Sequence, residues 1–212
     1  MLNYLKRFGG AVPRTVHKLR NREKLFVHIR SKEAWEQDYR QHQWDQLVTK
    51  VTEAGNLAII GFMLAFAIRK QPFRLLDVGC GNGALLKLLQ GMTANVNYTG
   101  ADISAESLLQ LKVQFPEAET ICADMSRVEQ IPGRYDVIVF NECLYYTDYD
   151  AVIDHYRTKL EQDGLMIISM VNNAGRAFIW RRIENKMSAL MSYTVRNDQS
   201  KDTWMVKLLS YN

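Results

Sequence analysis

The hydrophobic and polar positions of this chain alternate between two periods, and the order of the switches predicts the architecture. Leu57 to Ile68 is a run of twelve apolar or glycine residues, short of the ~20 that a membrane-crossing helix needs, and it predicts a buried helix. Arg69-Lys70-Gln71-Pro72 ends that run, because proline disfavours helix in the residue before it, and a first strand enters at Phe73. The next apolar runs predict strands at Asn97–Asp102, Thr120–Asp124, Tyr135–Phe140 and Leu165–Met170, the last buried on both faces. Helical spacing separates them, first at Ala84–Leu89, then from near Ser104, then at Asp150–Leu160, where Val152, Ile153, Tyr156 and Leu160 fall on one stripe. Gln162-Asp163-Gly164 predicts a turn before the fifth strand. Leu190–Val195 and Thr203–Leu209, around Asn197-Asp198, predict a closing β-hairpin. The sum is an α/β fold: a doubly wound, seven-stranded sheet, mostly parallel, with a C-terminal antiparallel hairpin.

The junction after the first strand carries the chemistry. Asp77-Val78-Gly79-Cys80-Gly81-Asn82-Gly83 joins an acid at a strand end to three alternating glycines and a helix start. Glycines let the chain turn sharply and let a ligand touch the backbone, and the helix start offers unpaired amides. A Gly-rich turn alone is a weak signal, and this one also fits the loose dinucleotide pattern. Support comes from further acids: Asp102 closes the second strand, where a carboxylate can take both hydroxyls of a ribose, and Asp124 closes the third. The fourth strand runs into Asn141-Glu142-Cys143-Leu144-Tyr145-Tyr146. In an open α/β sheet those carboxyl ends line one crevice, so these residues converge on one ligand.

The segment Asp77–Gly83, with Asp102, Asp124 and Asp136–Tyr146, resembles motifs I to IV of the class I S-adenosylmethionine-dependent methyltransferases. The likeness covers roughly Gln71 to the C-terminus, and Val139–Tyr146 is most similar to the small-molecule enzymes, including nodulation-type, sugar and natural-product methyltransferases. It implies a Rossmann-like core with S-adenosyl-L-methionine as cofactor. By that resemblance Asp77, Gly79, Cys80, Gly81, Asn82 and Gly83 hold the methionine end and Asp102 holds the ribose. Asp124 takes the adenine amino group, Ile103 and Met125 pack on the ring, and Asn141 lies beside the sulfur. Glu142, Tyr145 and Tyr146 face the acceptor, with Glu142 the first candidate for a base if a hydroxyl is methylated.

Composition changes the picture in three places. Residues 1–30 hold eight lysines and arginines against Glu23, a net +7, so the rest of this +4 chain is at −3. That arm could meet an anionic membrane surface or RNA, or could simply be solvated. Cys80, Cys122 and Cys143 lack metal-type spacing, so no metal is expected; each sits at a strand end, as a small buried thiol beside a ligand. The opening residues lack the apolar core of a secretory signal, which predicts a cytoplasmic protein.

The expected organisation is a basic arm over 1–30, a helical lid and buried helix over 31–70, and the methyltransferase core over 71–212. Trp35, Tyr39, Arg40 and Trp44 are the candidate lid residues; His42 has no evident partner, and His155, mid-helix and away from any strand end, is given a surface or packing role rather than a catalytic one. The expected reaction is methyl transfer to an oxygen or nitrogen of a small-molecule acceptor. Two alternatives stay open: an RNA methyltransferase that uses the arm, and a non-catalytic module that binds the cofactor.

Overall fold

The computed structural model describes residues 30–49, 55–68, 71–92, 95–198 and 202–211. The basic arm therefore lies, except for Arg30, outside the described residues. Helix α1 spans Lys32–Arg40, α2 Asp45–Thr49 and α3 Gly55–Phe62, the last continued by a π-helical turn at Met63–Ala67. The core follows as β1 Phe73–Val78, α4 Ala84–Gln90, β2 Val96–Asp102, α5 Ala105–Gln114, β3 Glu119–Cys122, β4 Tyr135–Asn141, α6 Tyr149–Arg157, β5 Leu160–Val171, α7 Ala174–Glu184, β6 Met187–Arg196 and β7 Thr203–Tyr211.

The seven strands form one sheet in the order β3-β2-β1-β4-β5-β7-β6. The first five are parallel, and β7 enters antiparallel between β5 and β6. Strand periodicity splits the core in two. Leu75, Val137, Val139, Ile167, Val206 and Leu208 face α3 and α4, packing on Leu57, Ile60, Leu64, Leu85 and Leu89. Leu76, Ile138, Phe140, Ile168 and Met170 face the other way, onto Val152, Ile153 and Tyr156 of α6 and Ile179, Trp180 and Ile183 of α7. Each such side chain, taken out of water, stabilises the fold by about 1.5–3 kcal/mol, so both faces of the sheet need a helical cover.

Three expectations need adjustment. The apolar run at 57–68 is helical but only one stripe of it is buried: Phe62 is 40% and Phe66 74% exposed, and their rings meet 5.2 Å apart on the outer face, as residues four apart on a helix do. Leu160 leaves the helix for the sheet, because the amide of Tyr135 donates to the Lys159 carbonyl and draws that segment alongside β4. The expected turn at 162–164 survives as a jump in register, from Leu160 opposite Tyr135 to Leu165 opposite Val137. Finally, β3 stops at Cys122, two residues short of Asp124.

Candidate active site

Strand order reverses between β1 and β4, and the loops at their carboxyl ends open onto the same crevice. The glycine loop is anchored there by the amides of Gly79 and Cys80, which both donate to the Ala101 carbonyl at 2.7 and 3.1 Å. Gly79, Gly81 and Gly83 have φ of +70°, +55° and +92°, a region that L side chains avoid. Space forbids side chains as well: a Cβ at Gly79 would lie 2.7 Å from the Cβ of Cys143, and one at Gly81 would lie 2.5 Å from the Tyr39 hydroxyl.

Asp102 braces this loop. Its carboxylate accepts from the Gly81 amide and from the Ser104 amide, each at 2.9 Å. Burial raises its pKa, against the pull of those two N–H groups. Asp77 is 98% buried and accepts from the Tyr98 hydroxyl at 2.9 Å; burial lifts its pKa to about 7 despite that bond. Tyr98 was not singled out from the sequence. The available signal was strand alternation, which puts Tyr98, Gly100 and Asp102 on one face, with Gly100 small where Cys80 Sγ and the Tyr98 hydroxyl crowd in.

Asp124 and its neighbours sit at the edge of the crevice. One oxygen of Asp124 accepts from the Ser126 amide and hydroxyl, both at 2.8 Å, so the acid shapes a turn. Met125 and Ile121 both pack on the core, and Ile103 is half-buried. Asn82 is buried. Of the three cysteines, Cys80 and Cys143 are buried but Cys122 is exposed, which corrects the expectation for Cys122: its strand lies at the sheet edge, where one neighbour is missing.

The ends of β4 and β5 carry a side-chain network drawn from α3, β4, the turn after it, β5 and α7. Glu142 follows β4 with φ of +56°, an unusual conformation that a non-glycine residue holds only when its surroundings enforce it. Its Oε1 accepts from the Ser169 hydroxyl at 3.0 Å, and its Oε2 from the Val171 amide and the Tyr145 hydroxyl, both at 3.1 Å. Burial outweighs those donors and raises its pKa to about 7. Asn56, reaching in from α3, donates to Asn141 Oδ1 at 2.9 Å and to Ser169 Oγ at 3.4 Å. Tyr145 and Tyr146 are 4.6 Å apart, and the Arg176 guanidinium lies 3.8 Å from the Tyr145 ring centroid. Asn56 and Ser169 carried no signal in the sequence: their partners are 85 and 27 residues away.

Helix α1 closes the crevice from above. The Glu36 carboxylate accepts from Ser104 Oγ and from the amides of Ala105 and Glu106, at 2.9–3.0 Å, and so caps α5. Burial opposes its charge, but those donors win and hold its pKa below the usual carboxylate range. Tyr39 thereby rests on Gly81, and Trp35 meets Tyr146 edge-on at 5.0 Å. Trp44 lies 5.8 Å from Trp35. Arg40 only reaches Glu106 at the surface, at 3.8 Å. His42 does have a partner, Asp45, at 3.0 Å; His155 is exposed on α6, as expected. A cleft of about 500 Å³ at the opposite end of the sheet, lined by Arg134, Arg157 and Tyr211 among others, shares no residue with this cluster.

Residues 37–205 match the methyltransferase-domain family. This chain belongs to that family. The methyltransferase is 30% identical over 117 residues to a ubiquinone biosynthesis O-methyltransferase of Glaesserella parasuis, a match covering 50% of this chain and 48% of that one. It thus spans about half the length of the curated relatives it matches. Its fold is that of two solved enzymes. One is the 1,6-didemethyltoxoflavin-N1-methyltransferase of Burkholderia thailandensis, solved with its substrate and S-adenosylhomocysteine (TM-score 0.68, 15% identity, 85% of this chain and 87% of that chain). The other is the N-methyltransferase NodS of Bradyrhizobium japonicum, solved with S-adenosylhomocysteine (TM-score 0.60, 13% identity, 72% and 84%). Family and fold together make this a methyltransferase domain of the class I, S-adenosylmethionine-dependent fold. No helix among the described residues is long and apolar enough to cross a membrane.

The residues present fit the cofactor. A Cβ on any of the three glycines would press on a packed side chain, of Cys143, Tyr39 or Leu111, so only glycine keeps the shape of this loop, and the carboxylate braced on Gly81 has lone pairs left to accept from a hydroxyl such as those of a ribose.

Proposed function

We propose that this methyltransferase alkylates a hydroxyl oxygen of a small molecule, with Glu142 as the base. The observation that carries this reading is the Glu142 carboxylate itself, held by three donors at the end of β4 with a pKa near 7. A base poised there can take a proton at neutral pH. The name of the relative from Glaesserella parasuis, an O-methyltransferase, supports oxygen as the acceptor atom.

When bound, S-adenosylmethionine supplies a methyl group on a positively charged sulfur that leaves as a neutral thioether. The glycine loop and Asp77 hold its methionine end in this reading, Asp102 its ribose, and Asp124 with Ile103 and Met125 its adenine. Asn141 would hold the sulfur end, and Asn56 fixes the orientation of the Asn141 amide. Glu142 would accept the hydrogen bond of the acceptor O–H and take the proton that the oxygen gives up on methylation. Tyr145 holds the carboxylate and Tyr146 flanks the acceptor. Trp35 and Tyr39 exclude water, which strengthens every charge interaction inside. Alignment of nucleophile, carbon and leaving sulfur can by itself lower a barrier by about 7–11 kcal/mol, so positioning is the protein's main contribution.

Calorimetry with S-adenosylmethionine and S-adenosylhomocysteine, followed by labelled methyl transfer to a panel of phenols, sugars and amines, tests this. Binding of both, with label appearing on hydroxyl acceptors, is expected. Label appearing only on amines would overturn the oxygen assignment, and no heat with either ligand would overturn the cofactor site.

A further inference from the structure

We propose that Glu36 is a positioning residue that latches helix α1 onto α5 and so sets how fast the cofactor enters and leaves the crevice. This rests on the cofactor reading above and adds how that site opens and shuts.

Glu36 is more than a local cap. Ser104 already caps α5 from within, its Oγ accepting from the Ser107 amide at 3.1 Å. The amides of Ala105 and Glu106 have no acceptor inside the helix. Both donate instead to Glu36, at 2.9 and 3.0 Å, and the Ser104 hydroxyl adds a third bond at 3.0 Å. That carboxylate comes from another helix, 68 to 70 positions earlier, and its residue is only 9% exposed. A negative charge facing the positive start of a helix is favourable, and bonds to a charged acceptor are the strong kind. Helix α1 needs such fastening, because at nine residues it is shorter than the about 12–15 below which isolated helices are marginal. It is also held to α5 by a bond from Gln110 Nε2 to the Tyr39 carbonyl at 2.8 Å and by the Arg40–Glu106 pair at the surface.

The latch is wired to the site it covers. Ser104, fully buried, stands between two carboxylates: its hydroxyl donates to Glu36 and its amide to Asp102, whose other oxygen accepts from the Gly81 amide. One line of bonds thus runs from the lid, through the start of α5, to the glycine loop. Three residues after Glu36, on the same face of α1, the Tyr39 hydroxyl covers Gly81. A ligand seated on Asp102 and the glycine loop lies beneath this lid, so α1 must lift from α5 for exchange, and lifting breaks every Glu36 bond. Water then solvates the freed carboxylate and the freed amides alike, which makes the latch reversible.

The test measures the association and dissociation rates of S-adenosylhomocysteine on the full chain by surface plasmon resonance, alongside hydrogen exchange of the unliganded protein. Glu36→Ala should raise both rates about tenfold, the loss expected for charged hydrogen bonds. The dissociation constant should stay within about threefold, because the lid lifts more easily with and without ligand. Glu36→Gln, which keeps one acceptor oxygen, should fall between the two. Without ligand, the α1 amides of Glu36→Ala should exchange about tenfold faster while those of β1 and β4 keep their wild-type protection, which is the check on folding. Should Glu36→Ala fail that check, Glu36→Gln carries the test, and both of its rates must still rise. Slower association with weaker binding in a folded variant is the mark of a damaged site and would overturn the proposal, as would unchanged rates or an α1 that exchanges no faster. A wild type that binds no S-adenosylhomocysteine removes the cofactor reading and the latch with it, whereas binding at rates that the Glu36 variants leave untouched removes the latch alone.

Discussion

The two halves of the crevice are built on different principles. The half proposed for the cofactor, at the ends of β1 and β2, is backbone: three glycines at positive φ, amides turned onto Ala101, and one carboxylate bridging Gly81 and Ser104. The half proposed for the acceptor, at the ends of β4 and β5, is side chain: Asn56, Asn141, Glu142, Tyr145, Ser169 and Arg176, drawn from α3, β4, the turn after it, β5 and α7. A backbone site suits a ligand that never changes, because it fixes geometry while using few side chains. A side-chain site can be retuned one residue at a time, which is what an acceptor pocket needs.

That division predicts which parameter each substitution moves. The largest effect is expected at Glu142. Replacing it with Gln should lower turnover by about 10²–10⁴-fold, the usual worth of a positioned base, and leave S-adenosylmethionine affinity almost unchanged. The wild-type rate should rise with pH through about 7, because the carboxylate must lose its proton to act. A Glu142→Gln variant that keeps this rise would remove Glu142 from the mechanism.

Gly81→Ala should act on the other half, weakening S-adenosylmethionine binding by about ten- to a hundredfold through a φ of +55° and a Cβ pressed on Tyr39. Adding Tyr39→Ala separates the causes: recovery of affinity in the double variant assigns the loss to the contact, and no recovery assigns it to the backbone. Should Gly81→Ala change turnover but not affinity, the division between the halves fails. The smallest effect is expected for Asn56→Ala, about a tenfold fall in turnover with cofactor affinity held within about twofold, as for loss of a buried hydrogen-bonding partner. Steady-state kinetics beside calorimetry would expose any larger shift in affinity.

Legibility followed the same division. Asp77, the glycine loop and Asp102 were readable because a strand end, a turn and a helix start follow one another within a few residues. Glu142 was readable from its place after β4. Its partner Ser169 was not, since a serine inside an apolar strand has no local signature, and it became a partner only through the register that puts it opposite Asn141. Arg176 is one of four cations between Asn172 and Met187, and nothing in the sequence separates it from Arg181 or Arg182. Arg182 pairs with Asp150 at the surface, whereas Arg176 is buried against Tyr145. Asp124 illustrates the reverse for a boundary: placed at a strand end by the sequence, it lies two residues past β3, where one of its oxygens holds a local turn.

By itself the sequence determined the strand and helix order, the parallel sheet and its closing hairpin, and the position of the glycine loop, because period, turn residues and caps are local properties written in neighbouring positions. Only the tertiary structure decided that α1 is latched to the start of α5 by Glu36, that Tyr98 holds Asp77, and that Asn56 and Ser169 are wired to Asn141 and Glu142. Those contacts join residues between 21 and 85 positions apart, and they exist because packing two helical layers on one twisted sheet brings them together where water is excluded.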